Sequence, residues 1–479
     1  MIAVIGVVTH NRPTALVSCI DSYVSNCRKW DRAPEVVVMD DGDGGGADTR
    51  SVLQTIQART GAPVRYAGLA EKGRYAEALA RQSSVPRDVV DFALFGDPRA
   101  RPCIGANRNG LLLDTVGALL FSADDDTAGC AAALGGLDDA VDFSHEYEPR
   151  EFHFFPTRRA ARDAAPAVDI DVLGANEALL GRTVTQPDGR QARVLITIPG
   201  IVGDSGMGSP RFFLTLTGDS RVRLLASADG YASALRSREV VRTPRRVTIA
   251  DTPFCMTTFL GLDNRDGLPP FFPVARNSDG IFGLTVRRAF EDSRVAFLPS
   301  LLLHAPLETR AFAGDEAWTE PARVRMADVL IATIAVHRPG EAAASAGNER
   351  VLQRIGSYLR EVGALDIDDF TTFVASAQQL RNLTLINLLE SRLREYGGAP
   401  DLWADDVRRT IDLLRLAPAS RDYVAPRDLG GAATVADASR LSRELVSKFG
   451  RLLEAWPSLI DAARRLRDRG ERVSEPVTA

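Results

Sequence analysis

Cysteine is scarce in this chain and carries no pattern. Cys19, Cys27, Cys103, Cys130 and Cys255 make an odd number, and no Cys-X-X-Cys occurs. That excludes a disulfide framework or a cysteine zinc site as the organising feature, and it fits a reducing, cytoplasmic compartment. Long apolar runs are missing as well. Residues 110–123 are broken by Asp114, and residues 329–336 fall far short of the roughly 20 needed to span a membrane. The start, MIAVIGVVTHNR, has no basic lead-in and reads as a buried first strand rather than a signal peptide. There is no excess of positive charge: Lys and Arg number 58 against 63 Asp and Glu, a net charge of -5. A general nucleic-acid partner is therefore not expected. An anionic ligand must be held by local cations or a metal. Internal repeats and low-complexity tracts are absent too.

What is present is a 479-residue soluble-type composition, enough for two or three domains. Residues 1–130 alternate between apolar strand-like runs and helical spacing. Strands are expected at 2–8, 35–39, 64–67 and 119–122, and helices at 13–25, 49–59 and 106–116. That rhythm predicts an α/β fold, a mostly parallel sheet with helices on both faces. Such sheets bind ligands at the carboxyl ends of their strands. Residues 140–260 read as a β-rich insertion, with β-like runs at 194–198 and 212–216. Its glycine-rich loop, 200–209, is expected to be mobile, as a lid or as a plain connector. Its Gly-Asp-Ser-Gly is only weakly like a serine-hydrolase motif. From about 311 the chain is helical to 470, and 471–479 reads as a disordered tail. The arginine-rich stretch 440–472 favours packing over contact with a membrane surface.

Two strand ends carry carboxylates. In VVVMDDGDGGGADTR (36–50), an apolar run ends in Asp40 and Asp41, with Asp43 expected to be solvated. In LLFSADDDT (119–127), another ends in Asp124, Asp125 and Asp126. Three adjacent carboxylates repel one another unless a cation neutralises them. Their oxygens suit a hard ion, Mn²⁺ or Mg²⁺, whose shell substrate phosphates commonly complete. A solvated loop is the plainer reading of each stretch taken alone.

Taken in order, these stretches resemble a GT-A fold glycosyltransferase, closest to the family 2 nucleotide-sugar enzymes. Val7-Val-Thr-His-Asn-Arg-Pro13 resembles the first strand and turn, and Met39-Asp-Asp-Gly42 the nucleoside-holding second tip. Gly105-Ala-Asn-Arg-Asn109 resembles the helix start before the metal strand, and residues 122–127 the DXD motif. Residues 275–283, ARNSDGIFG, resemble the acidic-pair segment, with Ser278 standing where the first acidic residue is expected. Leu301-Leu-Leu-His-Ala-Pro306 resembles the segment that carries a further histidine.

The resemblance implies a GT-A-like domain over 1–310 and a helical C-terminal domain over 311–470. It implies a metal-dependent glycosyltransferase that moves a sugar from a nucleoside-diphosphate sugar donor with inversion. Asp279 is then the general base; its plainer role is a helix cap. Thr9, Asn11, Arg12, Asp40, Asp41, Arg108, Asp124 and Asp125 would bind the donor. Asp126, Asp124 and His304 would hold Mn²⁺ or Mg²⁺. The acceptor is left open among a glycan, a lipid-linked glycan, a peptide and a small molecule, and a homo-oligomer is compatible. Two other readings stay open. One is a nucleotidyltransferase acting on a sugar phosphate, against which Thr9-His-Asn-Arg-Pro13 lacks glycine. The other is a non-catalytic nucleotide-sugar-binding or scaffold protein, which the loss of an acidic residue at Ser278 favours.

Overall fold

The computed structural model describes residues 1–42, 47–135, 140–312, 314, 324–337, 347–420, 423–429 and 432–478. Asp43 lies outside them. The N-terminal half is built on β1 (Ile2–Thr9), β2 (Glu35–Asp40), β3 (Val64–Ala67) and β4 (Leu119–Asp124), in spatial order β3-β2-β1-β4, all parallel. Alternation sends Val37 and Met39 of β2 to one face and Val36 and Val38 to the other. Helices Pro13–Lys29 and Ala47–Thr60 cover the second face. Helices Leu69–Ser83, Arg87–Phe95 and Ile104–Asp114 cover the first. Gly6 has a positional reason: a Cβ there would run into the Leu111 side chain, so glycine lets helix Ile104–Asp114 lie directly on β1.

Beyond β4 the sheet becomes mixed. The remaining strands are β5 (Thr127–Ala132), β6 (Val141–Ser144), β7 (Glu151–Phe154), β8 (Thr183–Thr185), β9 (Gln191–Asp204), β10 (Glu239–Thr243), β11 (Val247–Ala250), β12 (Phe259–Asp263) and β13 (Ser293–His304). β12 runs antiparallel to both β4 and β9, and β13 runs parallel to β9. β9, from the stretch read as a β-rich insertion, therefore sits inside the main sheet, between β12 and β13. Residues 212–216 are not a strand. A 3-10 helix occupies Pro210–Thr215, where Ser209 Oγ accepts from the Arg211 N–H and Phe213 and Leu214 are buried among Phe152, Phe312 and Trp403.

The expected mobile loop is also corrected. Residues 200–204 belong to β9, and Ser205 is fully buried. Gly203 has φ 112, and a Cβ on it would strike the His304 carbonyl, so glycine there serves close strand approach rather than mobility.

The C-terminal helices do not form a separate core. Phe449, Leu452, Leu453 and Trp456 of helix Val435–Asp468 share one apolar cluster with Met39 and Leu120 of the sheet. Burying a side chain such as Phe449 contributes about 2 kcal/mol. Trp456 Nε1 donates to the Leu268 carbonyl at 2.7 Å. The arginine-rich stretch thus packs through its apolar face, with Arg451 reaching Asp88 at 2.6 Å. No helix among the described residues is long and apolar enough to cross a membrane.

The tail is ordered through Thr478, against expectation. β14 (Glu475–Pro476) pairs antiparallel with β3. Arg472 reaches Glu35 at 2.6 Å and Asp114 at 2.5 Å, and the Ser474 N–H and Oγ both donate to Asp114 at 2.8 Å. Asp114 is fully buried, and a buried carboxylate without such partners is costly. The polar composition of 471–479 concealed this because the partner lies more than 350 residues away in sequence.

Candidate functional site

The site forms at the carboxyl ends of β1, β2 and β4. On β4, Leu120, Ser122 and Asp124 share a face by strand periodicity, and that face meets helix Ile104–Asp114. Arg108 on that helix donates from Nη2 to Asp124 Oδ1 at 2.7 Å. Arg108 is 4% exposed, and its Nε and Nη1 have no hydrogen-bond partner among the described residues. Its guanidinium also lies 5.9 Å over the Phe271 ring.

Asp125 and Asp126 form the two-residue link from β4 to β5. Thr9 Oγ1, at the β1 tip, donates to Asp125 at 2.6 Å, and Arg12 meets the other Asp125 oxygen at 2.7 Å. Asp126 faces Arg12 at 3.7 Å, Arg310 at 3.6 Å and His304 Nε2 at 3.5 Å. Strand register explains the histidine: β13 pairs with β5 so that His304 lies opposite Thr127, and Ala305 N–H donates to the Asp126 carbonyl at 2.8 Å. His304 Nδ1 donates to the Asp204 carbonyl of β9 at 2.7 Å. A carbonyl only accepts, so Nδ1 carries a proton and Nε2 is the atom turned toward Asp126.

The three carboxylates thus differ in their cationic neighbours, with Arg12 shared by Asp125 and Asp126, and their titration differs accordingly. Burial pushes Asp124 up against the pull of Arg108. Burial pushes Asp125 up to about 7, opposed by Thr9 and Arg12. Burial acts the same way on Asp126, but His304, Arg12 and Arg310 outweigh it and hold that carboxyl low. For His304, burial works against the charged ring, yet Asp126 prevails and raises its affinity for a proton.

The β2 tip divides its two carboxylates. Asp40 is buried and fully engaged: it accepts from the N–H groups of Asn11 (3.1 Å) and Gly42 (2.9 Å), from Thr49 Oγ1 (3.0 Å) and from Tyr66 OH (3.4 Å). Asp40 thereby ties the turn after β1 to the turn after β2. Asn11 contributes its backbone there and adopts φ 49, a strained geometry for a non-glycine residue. Asp41 stays near the surface, 2.9 Å from His10 Nδ1.

Lys72 is a member that periodicity did not single out. It is fully buried behind the β1 and β2 tips, donating to the Asp40 carbonyl at 3.1 Å and to Asn107 Oδ1. Asn107 in turn donates to the Thr9 carbonyl at 3.1 Å. The signal available was a lysine on the apolar face of helix Leu69–Ser83. Burial lowers its pKa to about 8, against the pull of Asp41 and Asp40. The unfolded chain keeps that proton until about pH 10.4. Between those values the unfolded state binds more protons, so stability should rise with pH. Urea unfolding across this window is expected to show that rise in the wild type and its loss in Lys72→Met; equal slopes would contradict it.

Asp279 lies in the first turn of helix Ser278–Ala289, and Asn277 rather than Asp279 occupies the cap position. Ala275 and Asn277 have φ 62 and 66, so this turn is held in a strained form. Asp279 accepts from the N–H groups of Gly280, at 3.0 Å, and of Thr257. Burial raises its pKa, with Arg108 opposing. Arg108 is thus the electrostatic link between the strand-tip carboxylates and Asp279.

Among the described residues no three His, Cys, Asp or Glu side chains gather closely enough to hold a metal unaided. Two are suitably placed. Asp126 Oδ1 and His304 Nε2 lie 3.5 Å apart, with His304 buried and the Asp126 side chain 7% exposed, and are spaced to reach one cation, given metal-ligand distances of about 2.1 Å. Asp124 is committed to Arg108. Compared with known protein families and with curated proteins, the chain matches none.

Proposed function

We propose that the chain is a nucleotide-sugar-dependent glycosyltransferase of GT-A type. The observation that carries this reading is Arg108. It is a buried guanidinium with two unpartnered nitrogens, Nε and Nη1, set among Asp124, Phe271 and Asp279 at the carboxyl ends of a parallel sheet. An unsatisfied buried cation is costly unless a ligand completes it. A diphosphate has the charge and the acceptor oxygens to do so.

In this reading Asp41 and His10 border the nucleoside, and Arg108 and Arg12 face the diphosphate. Asp126 and His304 would hold Mn²⁺ or Mg²⁺, which as a Lewis acid stabilises charge on the departing phosphate oxygens. Asp279 receives the proton of the acceptor hydroxyl. As that oxygen bonds to the anomeric carbon, the bond from this carbon to the phosphate oxygen breaks, and its electron pair leaves with the nucleoside diphosphate. Attack opposite the leaving group inverts the anomeric centre.

The test is release of nucleoside diphosphate from a panel of nucleotide sugars with Mn²⁺. Release from one nucleotide class supports the reading, and release from none would sink it.

A further inference from the structure

We infer that helix Ile367–Glu395 is the contact surface of a homodimer, in which the same helix of a second copy packs on it antiparallel. The inference stands apart from the transferase reading. The helix runs 29 residues and is anchored to the rest of the chain by Phe370, Val374, Ala377, Ile386 and Leu389, all buried. Its opposite side is not the charged surface of an ordinary solvated helix. Ser376, Leu380, Leu383, Thr384, Asn387 and Ser391 are all exposed and share that side by helical spacing. They make a stripe of about four turns without a charge. Leu380 is 56% exposed and Leu383 49%. The charges that flank the stripe turn away to neighbouring helices: Arg381 to Asp328, and Glu390 to Arg415 at 2.7 Å.

The symmetry of the stripe says what covers it. Residues 376, 380, 383 and 387 alternate four and three apart, which is the spacing of a coiled-coil seam. The seam is closed by Asp369 at one end and Arg394 at the other, both exposed and on the same side of the helix. Leu380 and Leu383 lie at its middle. A two-fold axis between Arg381 and Asn382 sets Leu380 opposite Leu383 of the second copy. The same axis sets Ser376 opposite Asn387, and Asp369 opposite Arg394. Each pairing occurs twice, as an isologous contact requires. Parallel pairing would instead set Asp369 against Asp369 and Arg394 against Arg394, like charges at both ends. Arg394 is held only loosely in its own chain, 4.0 Å from Glu390, and is placed to turn toward the second copy. One helix pair is a small interface, so the dimer is expected to dissociate at about 10 µM.

The experiment is sedimentation velocity on the full chain from about 1 to 100 µM. The wild type should pass from the mass of one chain, 51.8 kDa, to twice that mass as concentration rises. Leu380→Glu with Leu383→Glu should weaken association at least 100-fold (an order-of-magnitude figure of about two decades in Kd), with a thermal melt like that of the wild-type monomer. Asp369→Lys and Arg394→Glu should each weaken it about tenfold. Mixing those two single variants re-pairs opposite charges at both ends of the seam, and the mixture should regain wild-type affinity. These two variants, at exposed positions near the helix ends, decide the question if the leucine variant melts early. A wild type that keeps one mass throughout, a folded leucine variant that dimerises like wild type, or a mixture no tighter than its components overturns the proposal.

Discussion

Asp279→Asn is expected to lower transfer roughly 10³-fold while donor binding stays close to wild type. Asparagine keeps the shape of the side chain and one acceptor oxygen for the Gly280 and Thr257 N–H groups. What it loses is a basic oxygen for the acceptor proton. Because Asp279 no longer competes for Arg108, donor affinity is expected to hold or rise. The pH profile adds a second reading. Burial raises the pKa of Asp279, and the base works only when deprotonated. Transfer should therefore fall as pH drops through a limb above the ordinary carboxylate range, and that limb should be absent from the residual activity of the variant. Transfer that persists at wild-type rate would remove Asp279 as the base.

Arg108→Ala should have the largest effect on the resting protein. Arg108 is buried and paired at 2.7 Å with Asp124, whose side chain is 28% exposed, so its loss leaves a partly buried carboxylate without its cation. Breaking a fully buried pair costs about 3 to 5 kcal/mol, and the partial exposure of Asp124 sets the expected loss below that range, to be read as a lower urea midpoint. Because that variant mixes folding with function, Arg108→Lys separates them. Lysine keeps a positive charge for Asp124 but loses the planar set of N–H donors. It should fold nearly as well as wild type and bind donor about 100-fold more weakly. Wild-type donor affinity in Arg108→Lys would show that the unpartnered Nε and Nη1 do not face the ligand.

The sheet ends were legible because strand chemistry is local. An apolar run that stops at Asp40 or Asp124 marks a strand tip, and the structure has β2 and β4 ending there. The α/β class and the helical C-terminal region were readable for the same reason. Long-range pairing was not readable. Nothing local distinguishes Asp40, tied to Asn11, Thr49 and Tyr66, from Asp41, which stays near the surface. Nor does β9 announce that it enters the main sheet between β12 and β13, since a buried central strand and a peripheral one share the same apolar composition. Lys72 was missed because lysine is usually a surface residue, and its buried partners come from β2 and from helix Ile104–Asp114. The ordered tail depends on Asp114, which in sequence only interrupts an apolar run.

In the proposed function the strand-tip cluster binds the diphosphate of a nucleotide sugar together with a divalent cation. The most direct measurement is a thermal melt of the full chain against a nucleotide-sugar panel, with and without Mn²⁺. Asp126→Ala is measured beside the wild type. One nucleotide class is expected to raise the melting temperature, Mn²⁺ to enlarge the shift, and Asp126→Ala to lose the Mn²⁺-dependent part. A melting temperature that no nucleotide moves, or a Mn²⁺-dependent shift undiminished in Asp126→Ala, would contradict it.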